Sequence, residues 1–163
     1  MIQKITPFLW FDDNAEEAAN FYVSVFKDSK VKNVTRYDEA VSKVAERPVG
    51  SAMTVEFELE GQPFIALNGG PSFKFSEAIS FVVNCETQEE LDELWEKLSA
   101  HPESEQCGWL KDKFGLSWQI VPTAMGELMG GSDPEKSGRA MQAMLQMKKL
   151  DIQALKDAYE GNG

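Results

Sequence analysis

Histidine and cysteine are nearly missing from this chain of 163 residues: His101 is the one histidine, and cysteine occurs only at Cys85 and Cys107. A metal centre built on imidazole or thiolate therefore has little to draw on. The two cysteines have neither metal-ligand spacing nor a secreted-protein pattern and read as free thiols. Positive charge is also scarce, with 16 Lys and Arg against 27 Asp and Glu and a formal charge of -11. That balance excludes a nucleic-acid partner, which needs clustered Lys and Arg, and speaks equally against anionic membranes. No run approaches the roughly 18 uninterrupted apolar residues of a spanning helix, and Met1-Ile2-Gln3-Lys4 leads into a strand rather than a signal peptide's apolar core. A cytoplasmic protein is expected.

What is present is one strand-then-helix unit occurring twice, with matching residues 73 positions apart. Phe8 leads through Asp12 and Asn14 into a helix carrying Ala18, Phe21, Tyr22 and Val25. Phe81 leads through Cys85 and Thr87 into one carrying Leu91, Leu94, Trp95 and Leu98. Both apolar sets follow the spacing of a single helical face. Asn14 with Glu17, and Thr87 with Glu90, have the form of capping boxes. With 42% hydrophobic residues the chain can build a core, and its length is that of one domain. Two half-domains within one unit are expected, with a binding site where the halves meet.

Finer elements follow from periodicity and turn chemistry. Ile5 to Phe11 and Val31 to Tyr37 read as strands, and Asp38 to Gly50, polar and carrying Pro48, as a loop. Met53, Val55, Phe57 and Leu59 alternate with Thr54, Glu56, Glu58 and Glu60, giving a strand with one buried and one charged face. Gly61-Gln62 turns it into a strand from Phe64 to Asn68. After Gly69-Gly70-Pro71, a strand at Ile79 to Asn84 and a helix at Thr87 to Leu98 repeat the pattern. Glu103 to Pro122 supplies a shorter set with a tight turn at Asp112-Lys113-Phe114-Gly115, so the second half is the more compact copy. Ser132, Pro134 and Glu135 then start a helix carrying Met141, Met144, Leu145 and Met147, and Asp151 caps another through Ile152, Leu155 and Tyr159. The expected organisation is α+β: one domain over residues 1–125 with modules at about 1–70 and 78–125, then a helical tail over 126–163 belonging to neither repeat.

The doubled strand-helix-three-strand unit, the Phe-Tyr pair in the first helix and Asp112-Lys113-Phe114-Gly115-Leu116-Ser117-Trp118-Gln119 resemble the vicinal oxygen chelate superfamily of glyoxalase I, bleomycin-resistance proteins and extradiol dioxygenases. Within it, Leu67-Asn68-Gly69-Gly70-Pro71, Thr87-Gln88-Glu89-Glu90, Cys107-Gly108-Trp109-Leu110-Lys111-Asp112 and Ser117-Trp118-Gln119-Ile120-Val121-Pro122 are similar to the PhnB-like family, often labelled 3-demethylubiquinone-9 3-methyltransferase. The resemblance spans residues 3 to 125. It implies paired βαβββ modules forming curved mixed sheets that cup a pocket, C-terminal helices, and a homodimer whose pocket is built from one chain or both. Superfamily enzymes hold a metal in the cup, and the resemblance places its ligands at Pro7, near Phe64 to Ala66, at Ala78 and at Gln119. Only Gln119 offers a donor, and a divalent cation needs several, so no catalytic metal is expected. The methyltransferase label fits poorly, because no Gly-spaced turn of the cofactor-cradling kind follows a strand. No cofactor is expected.

Candidate pocket residues are Trp10, Asn68, Ser80, Cys107, Trp109, Trp118 and Gln119. The Gln119 amide needs a partner if buried, which a ligand, neighbouring backbone or a water can supply. Asn68 precedes a Gly-Gly turn and serves recognition or the turn itself, while Ser80 can face either way. Cys107 and Trp109 share strand parity and should point to one face, Cys107 as a pocket thiol or a small core residue. Trp10 and Trp118 lie on strands able to floor a cavity, whereas Trp95 belongs to a helix core. Asp12-Asp13 reads as helix-start electrostatics rather than an acid-base pair, and His101 as a solvent-exposed loop residue. The C-terminal methionine stripe packs on its own domain, a cup mouth or a neighbouring subunit. The expected function is metal-free binding of an unidentified small molecule, with a lyase, isomerase or transferase of the superfamily as the alternative.

Overall fold

Strand alternation and two sets of apolar helical residues produce two units in the computed structural model, which describes residues 3–162; one unit ends at Phe75 and the other begins at Ser76. The first contains β1 (Phe8–Phe11), α1 (Ala15–Val25), β2 (Lys30–Arg36), α2 (Glu39–Ala45), β3 (Ala52–Leu59) and β4 (Gln62–Asn68). Its sheet runs β1-β4-β3-β2, with β1 parallel to β4 and the other pairs antiparallel. Ala15, Ala18 and Ala19 bring α1 close to the sheet, so that the buried Tyr22 ring stacks 6.3 Å from Phe57, itself 5.3 Å from Phe64. Leu9, Phe11, Val55, Phe57, Leu59, Phe64 and Ala66 complete this core. The alternate residues Phe8, Trp10, Thr35, Thr54, Glu56, Ile65 and Leu67 point to the face without α1.

Two local expectations are corrected. Asp38 to Gly50 is not all loop: it contains α2, whose first turn is capped by the Asp38 carboxylate accepting from Val41 N. None of the α2 side chains is buried, and its seven residues are too short a stretch for the spacing of Val41 and Val44 to read as a helical face. Nor does Asn14 cap α1 through its side chain. Asn68 does part of that work from β4, its Oδ1 accepting from Ala15 N at 2.8 Å. Asn68 Nδ2 donates to Ala52 O at 3.0 Å, and the Tyr37 hydroxyl donates to the Asn68 carbonyl. One buried amide thus ties α1, β3 and β4 together.

The second unit contains β5 (Ser80–Cys85), α3 (Gln88–Leu98), a 3-10 turn at Pro102–Ser104, β6 (Trp109–Lys111), β7 (Ser117–Pro122), α4 (Met125–Gly130), α5 (Pro134–Leu145) and α6 (Ile152–Glu160). Its order β5-β7-β6, with β5 parallel to β7 and β6 antiparallel, repeats β1-β4-β3 and lacks a counterpart of β2. Thr87 caps α3 by accepting from Glu90 N, while Glu90 returns to Glu86 N rather than to the cap residue. The spacing of 73 holds for the helices but not for the strand faces. One residue, Glu86, separates β5 from its cap where Asp12 and Asp13 separate β1 from Asn14. Period-two alternation converts that single residue into a change of side: Phe8 points away from α1, whereas Phe81, Val83 and Cys85 alternate to the side of Trp118 and Ile120, where α3 packs.

The C-terminal helices belong to this unit. Cys107 N and Gly108 N each donate at 2.8 Å, to Met147 O and Lys148 O, and Gln88 bonds Leu150 O and Ile152 N. Leu150 is fully buried and packs on Gly108, whose φ of 90° and close approach to Leu150 both favour glycine. Asp92 accepts from Gln88 and pairs with Lys149 at 2.9 Å. These contacts, the Gln88 hydrogen bond first, hold the Asp92 carboxyl below its ordinary range. A depressed carboxylate stabilises the fold above its unfolded-state pKa, and the contribution is lost as pH falls through the folded-state value. Protection factors of the amides at residues 147–152, taken relative to intrinsic exchange at each pH, should therefore fall on acidification, and Asp92→Asn should flatten that response.

The last hairpin turns on Asp112, fully buried, whose carboxylate accepts from Phe114 N, Leu116 N and Trp118 Nε1 at 2.8, 3.1 and 2.8 Å. Asp112→Ala leaves three donors without their acceptor. At about 1 kcal/mol for each lost bond, a destabilisation of roughly 3 kcal/mol is expected, or about 6–12 °C in Tm by thermal melting.

Candidate functional site

The four tryptophans separate the structural positions from the available ones. Trp10 Nε1 donates to Gly70 O at 2.9 Å, Trp95 Nε1 to Glu105 at 2.8 Å and Trp118 Nε1 to Asp112 at 2.8 Å. Trp109 is half-buried on β6, and its Nε1 makes no hydrogen bond to another described residue. An indole that is partly buried normally finds a partner for its N–H.

Trp109 stands directly beside Gln119 across the β6–β7 ladder, and Gln119 beside Val82 on β5. One step along, Lys111, Ser117 and Ser80 form a second row on the same face. Gln119 Nε2 donates to Ser80 Oγ at 2.9 Å, leaving its Oε1 to accept and the Ser80 hydroxyl to donate. Ser117 is 2% exposed and its Oγ has no partner among the described residues. Lys111 pairs with Glu77, and this contact, foremost its hydrogen bond, holds the Glu77 carboxyl below its ordinary range. The alternation places Ser80, Trp109 and Gln119 together on a face opposite to α3.

The remaining candidates are placed elsewhere. Trp118 alternates to the α3 side, is 2% exposed and lies 5.7 Å from the Phe81 ring, in the core rather than on a cavity floor. Cys107 does not share strand parity with Trp109, because it sits before β6 in a turn with φ of 53°. Its thiol is half-buried and free. Asn68 is buried with both amide atoms bonded to backbone. Trp10 lies in the first unit on the side away from α1, its ring resting on Gly69, where a Cβ would overlap it, and 4.9 Å from Phe73. His101 faces Glu103 at 3.6 Å in the loop before the 3-10 turn.

The sequence reading missed the first unit's polar groups. The face carrying Thr54, Glu56 and Glu58, read as merely charged, borders a 390 Å³ groove that also involves Lys32, Pro63 and Ile65. Lys32 bonds Glu58 at 3.0 Å, and Thr35 bonds Thr54. The period-two alternation of β3 was the available signal. Arg47, held 3.6 Å from Asp12 with its Nε buried and without a partner among the described residues, had none, because α2 was unseen.

The donor positions implied by the superfamily can be tested directly. Pro7 gives its carbonyl to Ile65 N, Phe64 is buried in the α1 core, Ile65 carries no donor and Ala78 is exposed. Only the Gln119 amide remains, already bonded to Ser80. Among the described residues, no group of three or more His, Cys, Asp or Glu is placed to hold a metal ion. This donor set does not fit a metal.

Two units that repeat a β-strand, helix and mixed sheet define a protein with the vicinal oxygen chelate fold of the glyoxalase and bleomycin-resistance proteins. The family model for 3-demethylubiquinone-9 3-methyltransferase matches residues 3–121, and the chain belongs to that family. The PhnB protein of Bacillus cereus is 38% identical, over 74% of this chain and 100% of its own, with a TM-score of 0.62. Fold alone is shared with protein PA1353 of Pseudomonas aeruginosa, 17% identical over 74% of this chain and 98% of its own, TM-score 0.55. The same holds for the fosfomycin resistance protein FosX of Listeria monocytogenes, 16% identical over 78% and 97%, TM-score 0.52. No curated protein matches the chain. Among the described residues no helix is long and apolar enough to cross a membrane.

Trp109→Phe should cost less than about 1 kcal/mol, since no hydrogen bond is lost and the ring is half-exposed. It should also abolish any ligand-induced change in tryptophan fluorescence. Asn68→Ala should do the opposite, costing roughly 2 kcal/mol in denaturant melts while the folded protein keeps its fluorescence response.

Proposed function

We propose that this protein binds a small organic molecule on the face formed by Ser80, Val82, Trp109 and Gln119, without a metal, as a cytoplasmic homodimer. One observation carries the reading: the indole N–H of Trp109 and the Gln119 carbonyl stand together, unused, on a half-buried sheet face opposite to the packed helix. A flat ligand set edge-on to the indole can accept from its N–H and donate to the Gln119 carbonyl. The donor set described above supports chemistry-free binding over metal-assisted turnover. Methyl transfer, which the family description names, finds no support in the glycines. Gly69 and Gly70 receive the Trp10 ring and the Arg47 guanidinium, and Pro71, Ser72 and Phe73 follow where a cofactor-binding helix would begin.

Homodimerisation is supported by the edges. The strands β1 and β5 each end a sheet, and Phe8 on β1 and Ile79 just before β5 are exposed. Exposed apolar edge strands are normally covered.

Elemental analysis of the purified protein should find less than stoichiometric Zn, Ni, Mn or Fe, and native mass spectrometry with a metabolite pool should show a one-per-chain adduct. A stoichiometric metal, or no adduct, sinks the reading. Light scattering should give a dimer that Phe8→Lys shifts toward monomer.

A further inference from the structure

We infer that the molecule taken by the second unit is a small carboxylate with a flat apolar body, its carboxylate bound by Lys111 with Ser117 and Ser80, its body by Trp109 and Val82. The inference rests on the small-molecule reading above and deepens it.

The argument starts from register. Lys111, Ser117 and Ser80 are direct neighbours across β6, β7 and β5, and Trp109, Gln119 and Val82 form the parallel row beside them. The face is thus divided into a cationic, hydroxyl-bearing row and an apolar row with one amide. Val82 is 53% exposed, leaving apolar surface for the ligand's body. The Ser117 hydroxyl is the second observation: buried and without a partner among the described residues, it costs stability until an acceptor arrives. A carboxylate supplies such acceptors, and charge-assisted bonds are the strong ones.

Glu77 shows what Lys111 accepts. Its carboxylate occupies the Lys111 ammonium, yet its side chain is 63% exposed and it precedes β5 in a segment outside any helix or strand. The pair is open to solvent on the Glu77 side while Lys111 is 26% exposed, so a ligand carboxylate can take the place of Glu77. Lys111 is the single cationic residue on these three strands. One cation matches one negative charge, whereas a phosphate dianion would remain half-compensated.

The test titrates the full chain with benzoate, benzamide and inorganic phosphate, reading tryptophan fluorescence and amide shifts at Trp109 and Gln119. Benzoate should bind about tenfold more tightly than benzamide, and phosphate should not compete. Lys111→Met should weaken benzoate about tenfold and leave benzamide unchanged, while Glu77→Gln should tighten benzoate several-fold. Unchanged amide shifts in α6 would show that each variant is folded. Equal affinity for benzoate and benzamide, indifference to Lys111→Met, or no benzoate binding overturns the inference. A metabolite-pool adduct that survives such a result preserves the small-molecule reading, and its absence as well removes both.

Discussion

A sheet packed by one helix has one face buried by that helix and another whose residues the core does not dictate. In both units the helix takes one face: α1 through Ala15, Ala18, Ala19 and Tyr22, α3 through Leu91, Leu94, Trp95 and Leu98. Because successive strand residues alternate, the residues that build each core also decide which ones face away. Trp109, Gln119 and Ser80 share a face because Leu110, Trp118, Phe81 and Ile120 are needed on the other. The shared face is thereby a consequence of core packing rather than an addition to it.

The same constraint explains what the sequence revealed. Helical periodicity marked α1 and α3, and the Phe57 strand was legible from alternation alone. The superfamily was legible in the Asp112 hairpin and the doubled unit. What escaped was phase. Residues 73 apart are equivalent on the helices, but a shorter link between β5 and α3 puts Phe81 on the opposite side from Phe8. Cys107 escaped for a related reason: its positive φ breaks the alternation that would have aligned it with Trp109. The helix α2 escaped because seven residues are too few to show a helical face, and Asn68 because its partners, Ala15 and Ala52, are distant in sequence.

Polar residues within apolar strands were candidates for recognition on equal terms, and satisfaction of hydrogen bonds separates them. Asn68 and Asp112 are buried and bonded: the first joins α1 to β3 and β4, and the second closes the β6–β7 turn and fixes Trp118. Each is a structural hub, and burial of such groups is tolerable only because the partners are complete. Ser117 is buried without that completion, and Gln119 is bonded through its amide nitrogen to a serine that keeps a proton to give. The incomplete groups lie on one face, beside the one indole whose N–H is unused.

The C-terminal helices follow from the same geometry. A sheet of three strands, lacking the counterpart of β2, leaves the backbone beside β6 without the neighbouring strand that the first unit supplies. The tail compensates. Leu150 inserts at Gly108, the Met147 and Lys148 carbonyls receive the N–H groups of the turn that replaces a strand, and Gln88 binds the entry to α6. Backbone groups of that turn would otherwise need water or an edge partner. The missing strand and the added helices are therefore two sides of one structural exchange, made on the edge next to Trp109, and the turn they secure is the one that delivers Trp109 to its place beside Gln119.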